Sequence, residues 1–352
     1  SAHISSWVSG PPNTQPPPTF ILSVQGSFMP DSLDFSAAEL EEAQRMNRQL
    51  RWAPRFRAPS RLGKMMIQTM LGAQAFMPHG VAGVTTSTRR ITWSGHSFAL
   101  RILLPASEVR GVYIDFHGGG WAIGTAAMDD RVNARIAEQG LAVVSVDYTT
   151  LPDIDLPGMI AQCAAAADWV FEHAQSEFGV TAMFIGGESA GAHLAACAIL
   201  RLRDTRADFH RLRGAVLFYG PYDLSCTPSV RSAPHDTLVL DGPAMTSGLA
   251  KLLPGKSEEE RRDPAFAPLY ANLAGLPPAL LLCGTIDPLI DDSRLMAERW
   301  TAANGNAKLI IVPDAPHAFN RFPTRVASRT NGFVRDWTNE RLVSGAAAKA
   351  AE

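Results

Sequence analysis

The sequence predicts an α/β fold, in which helices cover both faces of a mostly parallel β-sheet. From residue 112 onward, short continuous apolar segments alternate with helical segments. Strands of this kind are typical of a sheet that is buried on both faces. The chain has 352 residues, of which 46% are hydrophobic and 19% are charged. It is therefore long enough for one large core with a smaller part added to it.

The chain begins with a segment that we do not expect to have a core of its own. Residues 1 to about 20 are rich in proline, serine and threonine, which indicates an extended arm. A helical pattern follows from Ser36 to about Gln74. Ser36 and Glu39 have the spacing of a capping box, in which each side chain bonds the backbone of the other residue, so we expect a helix to begin there.

Eight strands are predicted after this region. The first two, Ile91–Ser94 and Phe98–Leu104, form a hairpin that turns at Gly95. The other six are apolar: Val112–Phe116, Ala142–Val146, Met183–Ile185, Ala215–Tyr219, Ala279–Cys283 and Leu309–Val312. Helices are expected at about 128–139, 158–176, 190–203, 291–304 and 324–342. The interval from about Asp223 to Asp263 breaks the alternation, and we interpret it as an insertion.

The segment Gly187-Glu188-Ser189-Ala190-Gly191 lies between a predicted strand and a predicted helix. This context indicates a nucleophile elbow, a turn so tight that glycine is needed on both sides of the serine. The Ser189 hydroxyl would then lie at the positive end of a helix. The motif alone is also compatible with a loop or with a helix-capping serine.

A glycine-rich loop, His117-Gly118-Gly119-Gly120-Trp121, directly follows a predicted strand. Acyl transfer places negative charge on the carbonyl oxygen of the substrate, and preorganised N–H groups must stabilise that charge. We expect the amides of Gly118, Gly119 and Ala190 to form such an oxyanion hole. A phosphate-binding loop is the alternative, but no Gly-Lys-Ser/Thr follows.

A serine hydroxyl needs an imidazole to accept its proton, and the imidazole needs a carboxylate to orient it. Asp287 and His317 each follow a predicted strand, and the order Ser189, Asp287, His317 suits a triad on this type of sheet. Other candidates are less well placed by the same reasoning. They are the carboxylates of Asp291, Asp292 and Asp314 and the imidazoles of His117 and His193.

Together these motifs resemble the hormone-sensitive-lipase-like family of α/β-hydrolases, also called bacterial family IV carboxylesterases. The resemblance runs from about Arg89 to about Trp337, with glutamate at position 188 where many members have aspartate and alanine at 318 where glycine is usual. One departure is larger. Members often carry Asp-Tyr-Arg-Leu-Ala-Pro-Glu after the fourth sheet strand, and here residues 147–153 read Asp-Tyr-Thr-Thr-Leu-Pro-Asp. The support that this arginine would give to Glu188 must come from elsewhere.

The resemblance implies an N-terminal arm and cap helices over residues 1–85, and a catalytic domain over 86–352 with a cap insertion at about 223–263. It implies a serine carboxylesterase that hydrolyses short- to medium-chain esters through an acyl-enzyme, without a metal or an organic cofactor. An amidase, lactonase or acyltransferase on the same triad is the alternative, and a non-catalytic receptor is a remote one. The expected pocket residues are Trp121, Glu188 and Tyr219. A homodimer through Lys308–Val312 is an analogy with the family.

Composition limits the partners and the compartment. The net charge of −2 gives no global attraction to nucleic acid or to an anionic membrane. We expect no membrane insertion, because no apolar run reaches the length of about 18 residues that a spanning helix needs. The four cysteines are widely spaced, and no basic segment followed by an apolar one begins the sequence. A cytoplasmic location is therefore expected.

Overall fold

The computed structural model describes residues 33–57, 60–74 and 80–350, and the predicted N-terminal arm lies outside these ranges. Within them, eight strands form a single sheet. The strands are β1 (Val84–Trp93), β2 (His96–Pro105), β3 (Gly111–Phe116), β4 (Leu141–Asp147), β5 (Met183–Glu188), β6 (Leu212–Phe218), β7 (Ala279–Gly284) and β8 (Ala307–Val312).

The strand order in the sheet is β1-β2-β4-β3-β5-β6-β7-β8. The pairs β1–β2 and β2–β4 are antiparallel, and all other neighbours are parallel. The prediction of a mostly parallel sheet is therefore confirmed. Strand β1 begins at Val84 rather than Ile91, because its first half alternates polar, exposed residues with half-buried ones and so has no continuous apolar run.

The described residues contain nine α-helices. They are α1 (Ala37–Leu50), α2 (Arg61–Gln74), α3 (Asp130–Ala137), α4 (Leu156–Phe178), α5 (Ala190–Thr205), α6 (Pro228–Arg231), α7 (Gly242–Leu252), α8 (Ile290–Asn304) and α9 (Arg325–Ala350). Helix α1 begins with the predicted capping box, in which the Ser36 amide donates to Glu39 Oε2 at 2.8 Å and the Glu39 amide donates to Ser36 Oγ at 3.4 Å. None of the helices described is both long and apolar enough to cross a bilayer.

Two hydrophobic clusters cover the two faces of the sheet. Helices α4, α5 and α8 pack on one face, where Trp300 is fully buried, and α3 and α9 pack on the other, where Trp337 is buried. The helices therefore cover both faces, as the continuous apolar strands predicted. The carboxyl ends of the parallel strands meet at one edge, and the loops that carry the predicted motifs leave the sheet there.

The interval predicted as an insertion contains α6 and α7, and an N-terminal segment packs against it. The amide of Phe56 donates to Val239 O at 2.6 Å, and the Asp241 amide donates back to Phe56 O at 3.3 Å. Arg57 pairs with Asp241 at 2.6 Å. These contacts join the two segments that the sequence assigns to a cap, and the division into domains stays a prediction.

Candidate active site

Ser189 is the residue at which β5 ends and α5 begins. Its backbone has φ 53° and ψ −121°, a conformation that costs free energy for any residue with a side chain. The glycines on either side are required by space: a Cβ at Gly191 would lie 1.9 Å from the carbonyl oxygen of Phe116, and one at Gly187 would lie 2.6 Å from the same atom. The strand, tight turn and helix that the motif predicted are therefore present, and β3 passes directly beside them.

The structure brings the three predicted triad residues together. Ser189 Oγ lies 3.0 Å from His317 Nε2, and His317 Nδ1 lies 2.8 Å from Asp287 Oδ2. Asp287 is itself held by the amide of Leu289, which donates to Oδ1 at 2.9 Å. With Nδ1–H donating to this buried carboxylate, Nε2 is left without a proton and can accept one from the hydroxyl.

The competing carboxylates have other partners. Asp292 accepts from the amides of Tyr222 and Asp223 at 2.7 and 2.9 Å, and Asp291 accepts from the amide of Ser229 at 2.9 Å. Asp314 accepts from Gln44 at 2.9 Å. These three carboxylates fix loops and the N-terminal helix, and none of them contacts the His317 imidazole.

His193 is the buried histidine nearest in sequence to Ser189, and both of its nitrogens are occupied. Nε2 donates to the carbonyl oxygen of Phe266 at 2.6 Å, and Nδ1 accepts from Trp121 Nε1 at 3.3 Å. His193 therefore links α5 to the glycine-rich loop and to the chain after the insertion, as a structural residue rather than a base.

We expect His193 to make the fold acid-sensitive. Burial lowers the pKa of His193 to about 4, although its bond to Phe266 opposes this shift. In the unfolded chain the pKa of histidine is about 6.5, so between these two values only the unfolded state takes up the proton. The free energy of unfolding should fall by about 3 kcal/mol from pH 7 to pH 4 through this group alone. Urea unfolding of the wild type and of His193→Gln at several pH values measures this loss of stability. If the free energies of unfolding of the two proteins fell in parallel with pH, the acid sensitivity would not come from His193.

The predicted oxyanion loop lies against the nucleophile turn. A Cβ at Gly118 would be 3.1 Å from the carbonyl oxygen of Glu188, and Gly119 has φ +123° with space for no Cβ, which would lie 2.0 Å from Ile123 O. Within the described residues, the amides of Gly118, Gly119 and Ala190 donate to no other group of the protein. Three free N–H groups beside a serine hydroxyl are what an oxyanion would require.

His117 and Tyr148 pack against each other and hold this loop in place. Their rings stack at a centroid distance of 4.1 Å, and the Tyr148 hydroxyl donates to His117 O at 2.7 Å. The His117 Nδ1–H donates to Gly118 O at 2.7 Å, and burial lowers the pKa of this imidazole. A neutral, stacked His117 fits the supporting role that the sequence favoured for it.

Two residues that sequence reasoning missed replace the absent arginine. Arg321 Nε donates to Glu188 Oε2 at 2.5 Å, and its guanidinium also pairs with Asp129. Lys64 on α2 holds the segment that would carry the family's arginine, since its ammonium donates to Leu151 O at 2.5 Å and to Asp153 at 2.8 Å. The only signal in the sequence was the need of a buried Glu188 for a cation, which does not say where in the chain the cation lies.

A cavity of about 370 Å³ opens beside Ser189 and His317. The three predicted pocket residues, Trp121, Glu188 and Tyr219, all line it, and their contact with a substrate stays a prediction. Much of one wall comes from α7, which contributes Ala244, Met245, Gly248, Leu249, Lys251 and Leu252. Among the described residues, no group of three or more His, Cys, Asp and Glu side chains is arranged to hold a metal ion.

Comparison with known proteins agrees with this architecture. A family described as the α/β hydrolase fold matches residues 113–321, more than half of the chain. A bacterial heroin esterase is 26% identical, with a TM-score of 0.75 over 86% of this chain and 97% of its own. The esterase LipW from Mycobacterium marinum is 26% identical, with a TM-score of 0.74 over 86% and 96%. A thermostable esterase from Pseudomonas putida ECU1011 is 26% identical, with a TM-score of 0.72 over 88% and 98%.

The sheet order, the strand-turn-helix around Ser189 and the family match define an α/β-hydrolase. The chain belongs to the hormone-sensitive-lipase-like family of these hydrolases, which confirms the resemblance predicted from its motifs.

Proposed function

We propose that this protein is a serine carboxylesterase in which Ser189 is the nucleophile, His317 the general base and Asp287 the residue that orients the base. One observation carries the proposal: the hydrogen-bond chain from Ser189 Oγ through His317 to Asp287, at 3.0 and 2.8 Å, lies beside free backbone amides. The esterases that share this fold, and the family to which the chain belongs, support ester hydrolysis as the reaction.

In the first half of the reaction, Ser189 Oγ attacks the ester carbonyl while its proton passes to His317 Nε2. The carbonyl oxygen becomes an oxyanion, which the amides of Gly118, Gly119 and Ala190 stabilise, each worth about 3 kcal/mol in sites of this type. The intermediate collapses as His317 gives the proton to the leaving alkoxide. The alcohol departs, and the acyl group stays on Ser189.

In the second half, a water molecule attacks the acyl-enzyme. His317 takes a proton from the water, the same amides hold the second oxyanion, and the carboxylic acid is released as Ser189 recovers its proton. Asp287 keeps the imidazole oriented and stabilises its charged form throughout. No step in this sequence calls for a metal or an organic cofactor.

The size of the cavity supports a small substrate. A volume of about 370 Å³ is at the lower end of the range for small-molecule sites, about 300–1,000 Å³. Apolar side chains such as Met245, Leu249 and Leu289 line it, so we propose esters with short- to medium-length hydrocarbon chains. An amidase, lactonase or acyltransferase would use the same triad, and matched ester and amide substrates separate ester hydrolysis from amide hydrolysis.

The experiment combines covalent labelling with matched substrates. An alkyl p-nitrophenyl phosphonate should form one adduct on the peptide that contains Ser189, and ester hydrolysis should fall in proportion to the labelled fraction, because the tetrahedral phosphorus mimics the oxyanion. p-Nitrophenyl butyrate should be hydrolysed, whereas the matched p-nitroanilide should react at least about 100-fold more slowly, an advantage of about 3 kcal/mol. Full activity after complete labelling would contradict the role of Ser189, and a faster anilide reaction would favour an amidase.

The sheet edge, the cysteines and the net charge bear on the assembly, the compartment and the partners. β8 (Ala307–Val312) lies at one edge of the sheet, and an edge strand can pair with the same strand of a second copy. We propose a homodimer through this strand. The four cysteines are buried and free, which supports the proposed cytoplasmic location, and the net charge of −2 supports the absence of a nucleic-acid partner.

A further inference from the structure

The middle of α7 contains a glycine, Gly248, for which the backbone of the helix gives no reason. Gly248 is the seventh of the 11 residues of α7 (Gly242–Leu252). Glycine in a helix interior costs about 1 kcal/mol relative to alanine, so a reason for its presence is expected. Two common reasons are a positive φ and a close approach of another group. Gly248 does not have a positive φ. Apart from its two chain neighbours and the nearby backbone of its own helix, no atom of the described residues lies within 4 Å of the position that its Cβ would take.

Gly248 instead faces the cavity beside Ser189. Residues three and four apart lie on one face of a helix, and Met245, Leu249 and Leu252 line the cavity together with Gly248. These neighbours carry apolar side chains of substantial length. The missing side chain at 248 therefore leaves a gap between them, and this gap is part of the cavity rather than filled by another part of the described protein.

We propose that Gly248 sets the maximum length of the hydrocarbon chain that the cavity accepts, so that a side chain the size of leucine at this position lowers that maximum. The ligand is an alkyl chain, because Met245, Leu249 and Leu252 on α7 offer it apolar contact. Lys251 also lines the cavity, but it lies at an exposed position of the helix. The proposal rests on the proposed ester hydrolysis. The alkyl chain can belong either to the acyl part or to the alcohol part of the ester.

The test compares Gly248→Leu with two controls. Gly248→Ala adds only a methyl group, and Ser247→Leu places the same leucine on an exposed position of the same helix. In Gly248→Leu, kcat/KM for p-nitrophenyl octanoate should fall at least about 10-fold relative to the acetate, since a few methylene groups excluded from an apolar pocket are worth that factor or more. Both controls should keep the wild-type ratio of kcat/KM for the octanoate to kcat/KM for the acetate. A parallel series of acetate esters, ethyl to octyl, shows whether the alcohol part rather than the acyl part occupies the gap.

A binding measurement tests the role of Gly248 independently of ester hydrolysis. The ketone 2-decanone has the shape of a long-chain ester but cannot be hydrolysed, and calorimetry should show at least about 10-fold weaker binding to Gly248→Leu than to the wild type. Equal binding and unchanged chain-length profiles in a folded Gly248→Leu protein would overturn the proposal, as would an equal loss in Ser247→Leu. If the wild type hydrolyses no ester but the binding difference appears, the proposed reaction fails and the assignment of Gly248 stands.

Discussion

Ser189→Ala and His317→Ala are each expected to lower kcat for p-nitrophenyl butyrate about 10⁴–10⁶-fold, the loss that follows removal of a nucleophile or its base. The effect is large because the two groups act as one unit. Without the hydroxyl no acyl-enzyme forms, and without the imidazole the hydroxyl stays protonated. The double variant should lose no more than the worse single variant, since either change already disables the unit. Steady-state rates with active-site titration of the wild type measure these losses.

The fold should survive both changes. The hydroxyl of Ser189 has one protein partner in the described structure, His317 Nε2, and alanine can replace serine at this turn without adding atoms. Urea unfolding of Ser189→Ala should therefore match the wild type within about 1 kcal/mol, as for most substitutions that leave packing intact. His317→Ala should lose more stability, because it removes a buried ring and the bond that this ring makes to the buried Asp287 carboxylate. Circular dichroism should show that both variants are folded. Ser247→Ala and His210→Ala, both at exposed positions, are the matched controls and should retain full activity. A residual rate in Ser189→Ala within 100-fold of the wild type would remove the residue from the mechanism.

The sequence was most informative where the physical signal is local. Continuous apolar strands, glycines on both sides of Ser189 and a capping serine at position 36 each predict a structure from a few neighbouring residues. The mostly parallel sheet, the strand, turn and helix around Ser189 and the start of α1 agree with those signals. Strand β1 is longer than predicted, because all of it pairs with β2 through the backbone while the side chains of its first half are mostly polar.

Contacts between residues that are far apart in the chain could not be predicted from such local patterns. Three carboxylates, Asp287, Asp291 and Asp292, follow β7, and only their partners in space distinguish Asp287 from Asp292. The position of Gly248 beside the nucleophile likewise depends on the fold, which brings α7 to the cavity that Ser189 lines. The clearest case is Arg321, four residues after His317, whose partners at 129 and 188 are far away in the chain.

Arg321 joins three loops of the candidate site. It pairs with Glu188, the residue before the nucleophile, with Asp129 at the start of α3, and with the Met128 carbonyl oxygen at 3.3 Å. The carboxylate of Glu188 also accepts from Asn320 at 2.6 Å and from the Tyr219 hydroxyl at 3.0 Å. Burial alone would lower the pKa of Arg321, but Asp129 and Glu188 outweigh it and hold the pKa well above its ordinary value. The guanidinium therefore stays charged at any pH at which the protein folds.

Arg321→Met should destabilise the fold by about 3–5 kcal/mol, the usual cost of leaving a buried charge without its partner. The side chains of Asp129 and Glu188 are only 3% and 9% exposed, so water cannot replace the arginine. Arg321→Lys keeps the charge but loses the planar fork that reaches both carboxylates, and an intermediate loss is expected. Adding Glu188→Gln to Arg321→Met should recover part of the stability, because it removes one of the two uncompensated charges. Urea unfolding of the four proteins at pH 7 measures these differences. A loss below about 1 kcal/mol in Arg321→Met would mean that the ion pairs are no stronger than those on a protein surface.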